Sequence, residues 1–173
     1  MDDLAAPPAV DAETALADVP AGHKDELRLW LRLLACTTLI EGCIRRRLRE
    51  QFDTTLPRFD MLAQLERAPP EGLTLGELSR RMMVSNGNIT GLAARLEAEG
   101  LVERRAMQGD RRAQMLRLTL RGRREFRRQS AVHEAWVAEL FQDLSAADRA
   151  ALFRLLGRAK ASVRAALDRE EAP

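Results

Sequence analysis

The 173-residue chain has little of what most enzymes are built around. Its two cysteines, Cys36 and Cys43, are too few for the disulfide framework of a small secreted protein. Its two histidines, His23 and His133, stand alone, and no CxxC, HExxH, Walker-type loop or GxGxxG occurs. A metal or nucleotide enzyme normally shows one of these, and no nucleophile–base set stands in for them. The expectation is a protein that is not an enzyme and carries neither metal nor cofactor. No apolar run approaches the ~20 residues that cross a bilayer. The opening MDDLAAPPAV is acidic and lacks the basic region of a secretory signal, so a cytoplasmic protein away from membranes is expected. Lysine is scarce too: 26 of the 28 basic residues are arginine, a bias that genome base composition alone can produce.

What is present is ordinary in amount and uneven in placement. A hydrophobic content of 46% and a charged content of 31% suit a soluble globular chain. There is room for one domain, or for a small domain with an accessory layer. Net charge is only +2. Yet residues 1–20 hold five acids and no base, whereas residues 101–128 hold ten arginines against Glu103, Asp110 and Glu125. Such a gradient points to one face for an anionic partner.

Residues 1–22 hold Ala, Pro and acids without periodicity and read as a flexible arm. From Asp25 to about Gln51 the pattern is helical, with Leu27, Leu31, Leu34 and Thr38 on one side. Leu29, Leu33, Cys36, Ile40 and Cys43 lie on the other, which predicts burial on both faces. A dimer interface is one place for that. TLPRFDMLAQLERAPP predicts a helix started near Pro57 and stopped by Pro69-Pro70. Thr74 and Glu77 then form a capping box. After the link MVS, NGNITGLAARLEAEG reads as a helix with Ser85 as N-cap and Gly100 just past its end. LVERRA and AQMLRLTL alternate like strands around MQGD, a hairpin on which Arg117 is expected to face solvent. A long helix over Leu120–Leu144 carries Phe126, His133, Trp136 and Leu140 at helical spacing. SAAD, from Ser145, caps a last helix with Leu152, Leu155, Leu156 and Ala159 on its buried face. The fold class is therefore mainly α with a small β-hairpin wing: a winged helix–turn–helix over 57–119 between helical segments at 23–56 and 120–168.

On the helix over 86–98, Ile89, Leu92, Ala93 and Leu96 cluster on one side. The other holds Gly87, Gly91, Ala94 and Ala98, flanked by Asn88, Thr90 and Arg95. An interior glycine costs a helix about 1 kcal/mol against alanine, so two of them need a compensating reason. One is packing against another helix. The other is deep entry into a DNA major groove, with Asn88 and Arg95 at base edges and Ser85 or Thr90 at phosphates or thymine methyls.

The run LTLGELSRRMMVSNGNITGLAARLEAEGLVERRAMQGDRRAQMLRLTLRG, residues 73–122, resembles the MarR family of bacterial transcription regulators. The pieces that match are the LT and EL of its opening, the VS, the RLE and GLV run, the DRR of the hairpin and the LT before Gly122. The resemblance implies a homodimer on double-stranded DNA, with 23–56 and 120–168 as dimerisation helices. It implies major-groove contacts from the helix carrying Ser85, Asn86, Asn88, Thr90 and Arg95. It also implies a minor-groove role for Arg112, a wing-shaping role for Asp110, and phosphate or structural roles for Arg104, Arg105 and Arg111. Family members usually repress, and they release a pseudo-palindromic operator when a small, often aromatic, acid binds. By location, the pocket candidates are Trp30, Leu34, Arg45, Arg46, Arg49, Phe59, Asp60 and His133. The VSNGNITGL wording resembles the branch that controls aromatic-acid catabolism, in which Arg45, Arg46, Arg47 and Arg49 would hold the phosphates of an aromatic acyl-CoA.

Plainer readings stand beside these. Cys36 and Cys43 are about 10 Å apart along a helix, too far for a disulfide, and read as buried core cysteines rather than oxidant sensors. RRRLRE also fits a solvated, salt-bridged face, His133 a packed histidine, Trp30 a core or interface residue, and Asp60 a partner of Arg58 or another arginine. Outside ligand-responsive repression, the alternatives are a regulator of another signal or a winged-helix protein-interaction module.

Overall fold

A computed structural model describes residues 25–107 and 110–170, with the side chains of Met107 and Asp110–Ala113 left undescribed. The arm at 1–22 lies outside the described residues. The elements are α1 (Asp25–Phe52), α2 (Leu56–Glu66), β1 (Leu73–Thr74), α3 (Leu75–Met82) and α4 (Asn86–Ala98). They continue with β2 (Val102–Met107), β3 (Asp110–Leu118), α5 (Leu120–Leu140) and α6 (Ala146–Glu170). The chain divides into two compact units at Gln129/Ser130.

In the first unit, local chemistry sets the element ends. Thr74 caps α3: its hydroxyl accepts from the Glu77 N–H at 3.2 Å, and its own N–H donates to the Glu77 carboxylate at 2.8 Å. Both halves of the expected box are present. α4 ends in a Schellman motif. Gly100, at φ +70°, donates to Glu97 O, and Leu101 donates to Leu96 O, each at 2.9 Å. The α3–α4 turn closes the same way around Met83, whose φ of +54° is a glycine-like conformation. There Val84 N–H donates to Ser79 O at 3.1 Å, and the Ser79 hydroxyl donates back to Val84 O at 2.6 Å.

The hairpin gains a third strand that the sequence pattern did not predict. β1 pairs antiparallel with β3, Leu73 opposite Leu116, giving the order β1-β3-β2. Gly72 permits this, because a Cβ there would lie 2.2 Å from the Leu116 carbonyl oxygen and φ is +101°. The strands also run further toward the tip than LVERRA and AQMLRLTL suggested. Gly122 fits α5 against β2: a Cβ there would meet the Leu101 carbonyl oxygen at 1.9 Å. Thr119 holds the same junction, its hydroxyl donating to Gly100 O at 2.7 Å and accepting from Gly122 N–H at 2.9 Å.

The core of this unit gathers Leu48, Met61, Leu62, Leu73, Leu78, Ile89, Leu96, Val102 and Leu116, all essentially inaccessible. Each such aliphatic contributes about 1.5–3 kcal/mol by leaving water. Ile89, Leu92, Ala93 and Leu96 are the buried face of α4, as their spacing predicted.

Within the single described chain, several faces of the flanking helices that were expected to be buried are exposed. α1 buries only Ile44 and Leu48, not two full faces; Leu27, Leu29, Trp30, Leu34 and Leu39 are exposed. Cys36 is exposed and Cys43 half-buried, so neither is a core cysteine in this chain. In the second unit α6 buries no residue at all, and Leu152, Leu155 and Leu156 are exposed. Among the described residues nothing covers these stripes. α5 ends at Leu140 rather than Leu144, and a turn precedes the Ser145 cap, whose hydroxyl accepts from Asp148 N–H at 3.1 Å.

Candidate nucleic-acid interface

The small face of α4 is open. Nothing lies within 4 Å of a Cβ built on Gly87, and a Cβ on Gly91 would meet only the Arg95 guanidinium at 3.8 Å. Among the described residues, then, no helix packs there. Ser85, Asn86, Asn88, Thr90, Ala94, Arg95 and Ala98 are all exposed on this side. Ser85 occupies the N-cap position as expected, yet its side chain makes no capping bond. The first-turn N–H groups of α4 therefore keep the partial positive charge of a helix start, which suits an anion. The Thr90 hydroxyl donates to Asn86 O at 2.8 Å, so its oxygen remains able to accept a bond. Arg95 Nε donates to Gly91 O at 3.3 Å, folding the guanidinium along its own helix.

The wing arginines are not equivalent. Arg105 is exposed beside Glu103 at 3.5 Å. Arg104 is already engaged: its Nε donates to Glu97 of α4 at 2.9 Å and its Nη1 to Gln114 of β3 at 3.3 Å. Arg117 is a correction to the solvent-facing expectation. It sits opposite Glu103 in the sheet and pairs with it at 2.5 Å, half-buried. That pairing holds the Glu103 carboxyl below the ordinary glutamate range. Asp110, Arg111 and Arg112 open β3 by their backbone, but their side chains lie outside the described residues.

A second arginine reaches α4 from elsewhere. Arg58, in the first turn of α2, makes a two-pronged bond to Glu99, the C-cap of α4: Nη1 donates to Oε1 at 2.7 Å and Nη2 to Oε2. This contact raises Arg58 and lowers Glu99 from their ordinary pKa values. The sequence pattern did not indicate it, offering Arg58 or another arginine only as a partner for Asp60. The available signal was Glu97 and Glu99 at a helix C-terminus, where a carboxylate opposes the dipole by about 0.3–1 kcal/mol.

The pocket candidates of the first unit lie on α1 and α2, and His133 belongs to the second unit. Phe59 is buried and packs on Phe126, ring centroids 5.5 Å apart. Trp30 and Leu34 are exposed on the N-terminal half of α1. Arg45, Arg46 and Arg49 are exposed on its other half, with Arg45 paired to Glu41 at 2.9 Å. Asp60 lies near that pair. Its carboxyl is raised first by burial and next by Glu41, while Arg45 opposes the shift. In the second unit His133 packs edge-on to Trp136 at 6.3 Å, and burial lowers its pKa. A cavity of about 680 Å³ behind the wing and one of about 290 Å³ against the Arg58–Glu99 pair are lined by none of these candidates. Among the described residues there is no cluster of three metal-ligating side chains, and no helix is long and apolar enough to cross a membrane.

A family model described as the MarR family matches residues 52–113. The chain is 34% identical over 109 residues to the transcriptional activatory protein BadR of Rhodopseudomonas palustris, covering 61% of this chain and 62% of BadR. The match thus spans less than two thirds of that relative's length. A MarR family transcriptional regulator from Silicibacter pomeroyi is 32% identical with a TM-score of 0.62, covering 86% of this chain and 96% of that one. FabT of Streptococcus pneumoniae, solved in complex with DNA, shares the fold at 24% identity and a TM-score of 0.67, with 81% of this chain and 98% of FabT aligned.

Proposed function

The chain belongs to the MarR family, and from that premise we propose that it is a homodimeric DNA-binding transcription regulator. The observation that carries this is the uncovered Gly87–Gly91–Ala94–Ala98 face of α4, rimmed by Asn88, Thr90 and Arg95. A helix with no side-chain bulk on its outer face can sit deep in a major groove. Ser85 and Asn86, at the uncapped helix start, take backbone phosphate. Arg105, Arg111 and Arg112 supply the wing's contacts, Arg112 in the minor groove, where narrow geometry concentrates negative potential; Asp110 holds the wing's shape. FabT supports the reading, since the same fold was solved on DNA. The uncovered apolar stripes of α1 and of α6 support the dimer, because a lone soluble chain rarely leaves such surface in water.

In this reading the dimer represses neighbouring catabolic genes and leaves its pseudo-palindromic operator when a small aromatic acid or its CoA thioester binds. Exposed Arg45, Arg46 and Arg49 on one stretch of α1 support an anionic effector, with Trp30, Leu34, Phe59, Asp60 and His133 as further candidates. BadR's description as activatory favours a second reading, in which DNA binding promotes transcription. The test is selection of duplexes from a randomised library, then anisotropy titration of the enriched and a scrambled duplex from 50 to 200 mM salt. Sequence preference with a steep salt dependence is expected. Equal affinity for both duplexes would sink the reading in favour of a protein-interaction module. Benzoate and a hydroxycinnamoyl-CoA thioester, added to the complex, test the effector, and a reporter gene reads the direction of control.

A further inference from the structure

Glu97 and Glu99 both sit at the C-terminal end of α4, where the helix dipole disfavours a carboxylate. Each is held by an arginine from a different element: Glu97 by Arg104 of β2 and Glu99 by Arg58 of α2. Arg58 is itself in a first turn that has no acid, the wrong helix end for a cation. Neither member of the Arg58–Glu99 pair is favoured by its own helix, so only their meeting offsets the misplacement. The contact is two-pronged, which fixes orientation as well as distance. Arg58 is half-buried; both its Nη atoms bond Glu99, its Nε has no hydrogen-bond partner among the described residues, and Asp53 adds only a weaker charge attraction. Arg104 also spans to Gln114, tying Glu97 to both strands of the wing.

We propose that Arg58–Glu99 and Arg104–Glu97 form a brace that sets the angle of α4 against α2 and the wing, making Arg58 and Arg104 positioning residues rather than phosphate contacts. The inference rests on the DNA-binding reading above. It separates these two arginines from Arg95 and Arg105, whose side chains are exposed. A contact arginine neutralises a phosphate, and its loss lowers the salt slope by about 1. A brace arginine neutralises none, so its loss weakens specific binding without moving the slope.

The experiment uses the full chain and a duplex enriched by the wild type, with a scrambled duplex of equal length. R58Q, E99Q, R104Q and the exchange R58E/E99R are titrated across a salt series, well below their melting temperatures. Each single variant is expected to lose roughly tenfold in affinity for the enriched duplex, the factor that 1.4 kcal/mol represents. Binding to the scrambled duplex and the salt slope stay unchanged. The exchange restores most of the loss, because both swapped charges then also agree with their helix dipoles. A merely destabilised protein would lose both duplexes in parallel, and that result overturns the proposal. So does a slope reduced by one for R58Q or R104Q, unchanged specific affinity in the single variants, or an exchange that rescues nothing. If the wild type enriches no duplex, the DNA-binding reading fails and the brace falls with it. If it does and the variants bind like wild type, the brace alone fails.

Discussion

Gly91→Ala adds one methyl group to the middle of α4 and separates two explanations for its small face. In an exposed helix interior, alanine is about 1 kcal/mol better than glycine. The new Cβ would touch only the Arg95 guanidinium at 3.8 Å, an ordinary contact with the end of a flexible side chain. Nothing subtracts from the propensity gain, so the melting temperature should rise by roughly 2–4 °C for a chain of this size. On DNA the same methyl stands between helix and groove. Misfit of one methyl in a packed contact costs about 1–3 kcal/mol, or roughly five- to 150-fold in Kd. Thermal melting and anisotropy on one preparation should therefore move in opposite directions. A more stable protein with undiminished affinity would refute the idea that glycine is there for close approach. A protein that is not stabilised would refute the view that this face is uncovered.

The identical substitution at Gly122 should have the opposite sign for stability. Its Cβ would lie 1.9 Å from a backbone oxygen that cannot swing aside, so after the propensity gain a net loss of about 2 kcal/mol is expected. Melting should fall by roughly 4–8 °C, and a rise would disprove the close approach of α5 to Leu101. At Met83, 93% exposed and left-handed, Met83→Gly should match or exceed wild-type stability, since it relieves about 1 kcal/mol of backbone strain and uncovers nothing. Met83→Val should be less stable, and melts in which valine equals glycine would contradict the left-handed conformation. Asp60 gives a pH dependence: burial, helped by Glu41, raises its pKa when folded. Its stabilising contribution is therefore present below the unfolded value near 3.9 and lost as pH rises through the raised folded value. Asp60→Asn should melt higher than wild type at pH 7, with the difference shrinking toward pH 4; a lower melting temperature at pH 7 would show that the charged form is favourably held.

What the sequence determined alone was whatever depends on neighbours within a few residues. Thr74 and Glu77 are three apart, and their capping box is present in full. Gly100 ends α4 because only the next bonds, to Glu97 and Leu96, are involved. The apolar side of α4 follows from helical periodicity, and so does its small side. Even there the pattern left open what faces that small side, which the uncovered surface around Gly87 and Gly91 decides within the described chain. Tertiary structure decided everything that joins distant residues. Arg58 and Glu99 are 41 residues apart, and no local rule links an arginine at one helix start to an acid at another helix end. A two-residue strand such as β1 has too little pattern to announce itself and exists only because β3 offers an edge. Leu152, Leu155 and Leu156 share a helical stripe, which periodicity can find, but a stripe says only that a residue prefers cover. Whether cover arrives depends on what else is brought against it, and the described residues bring none.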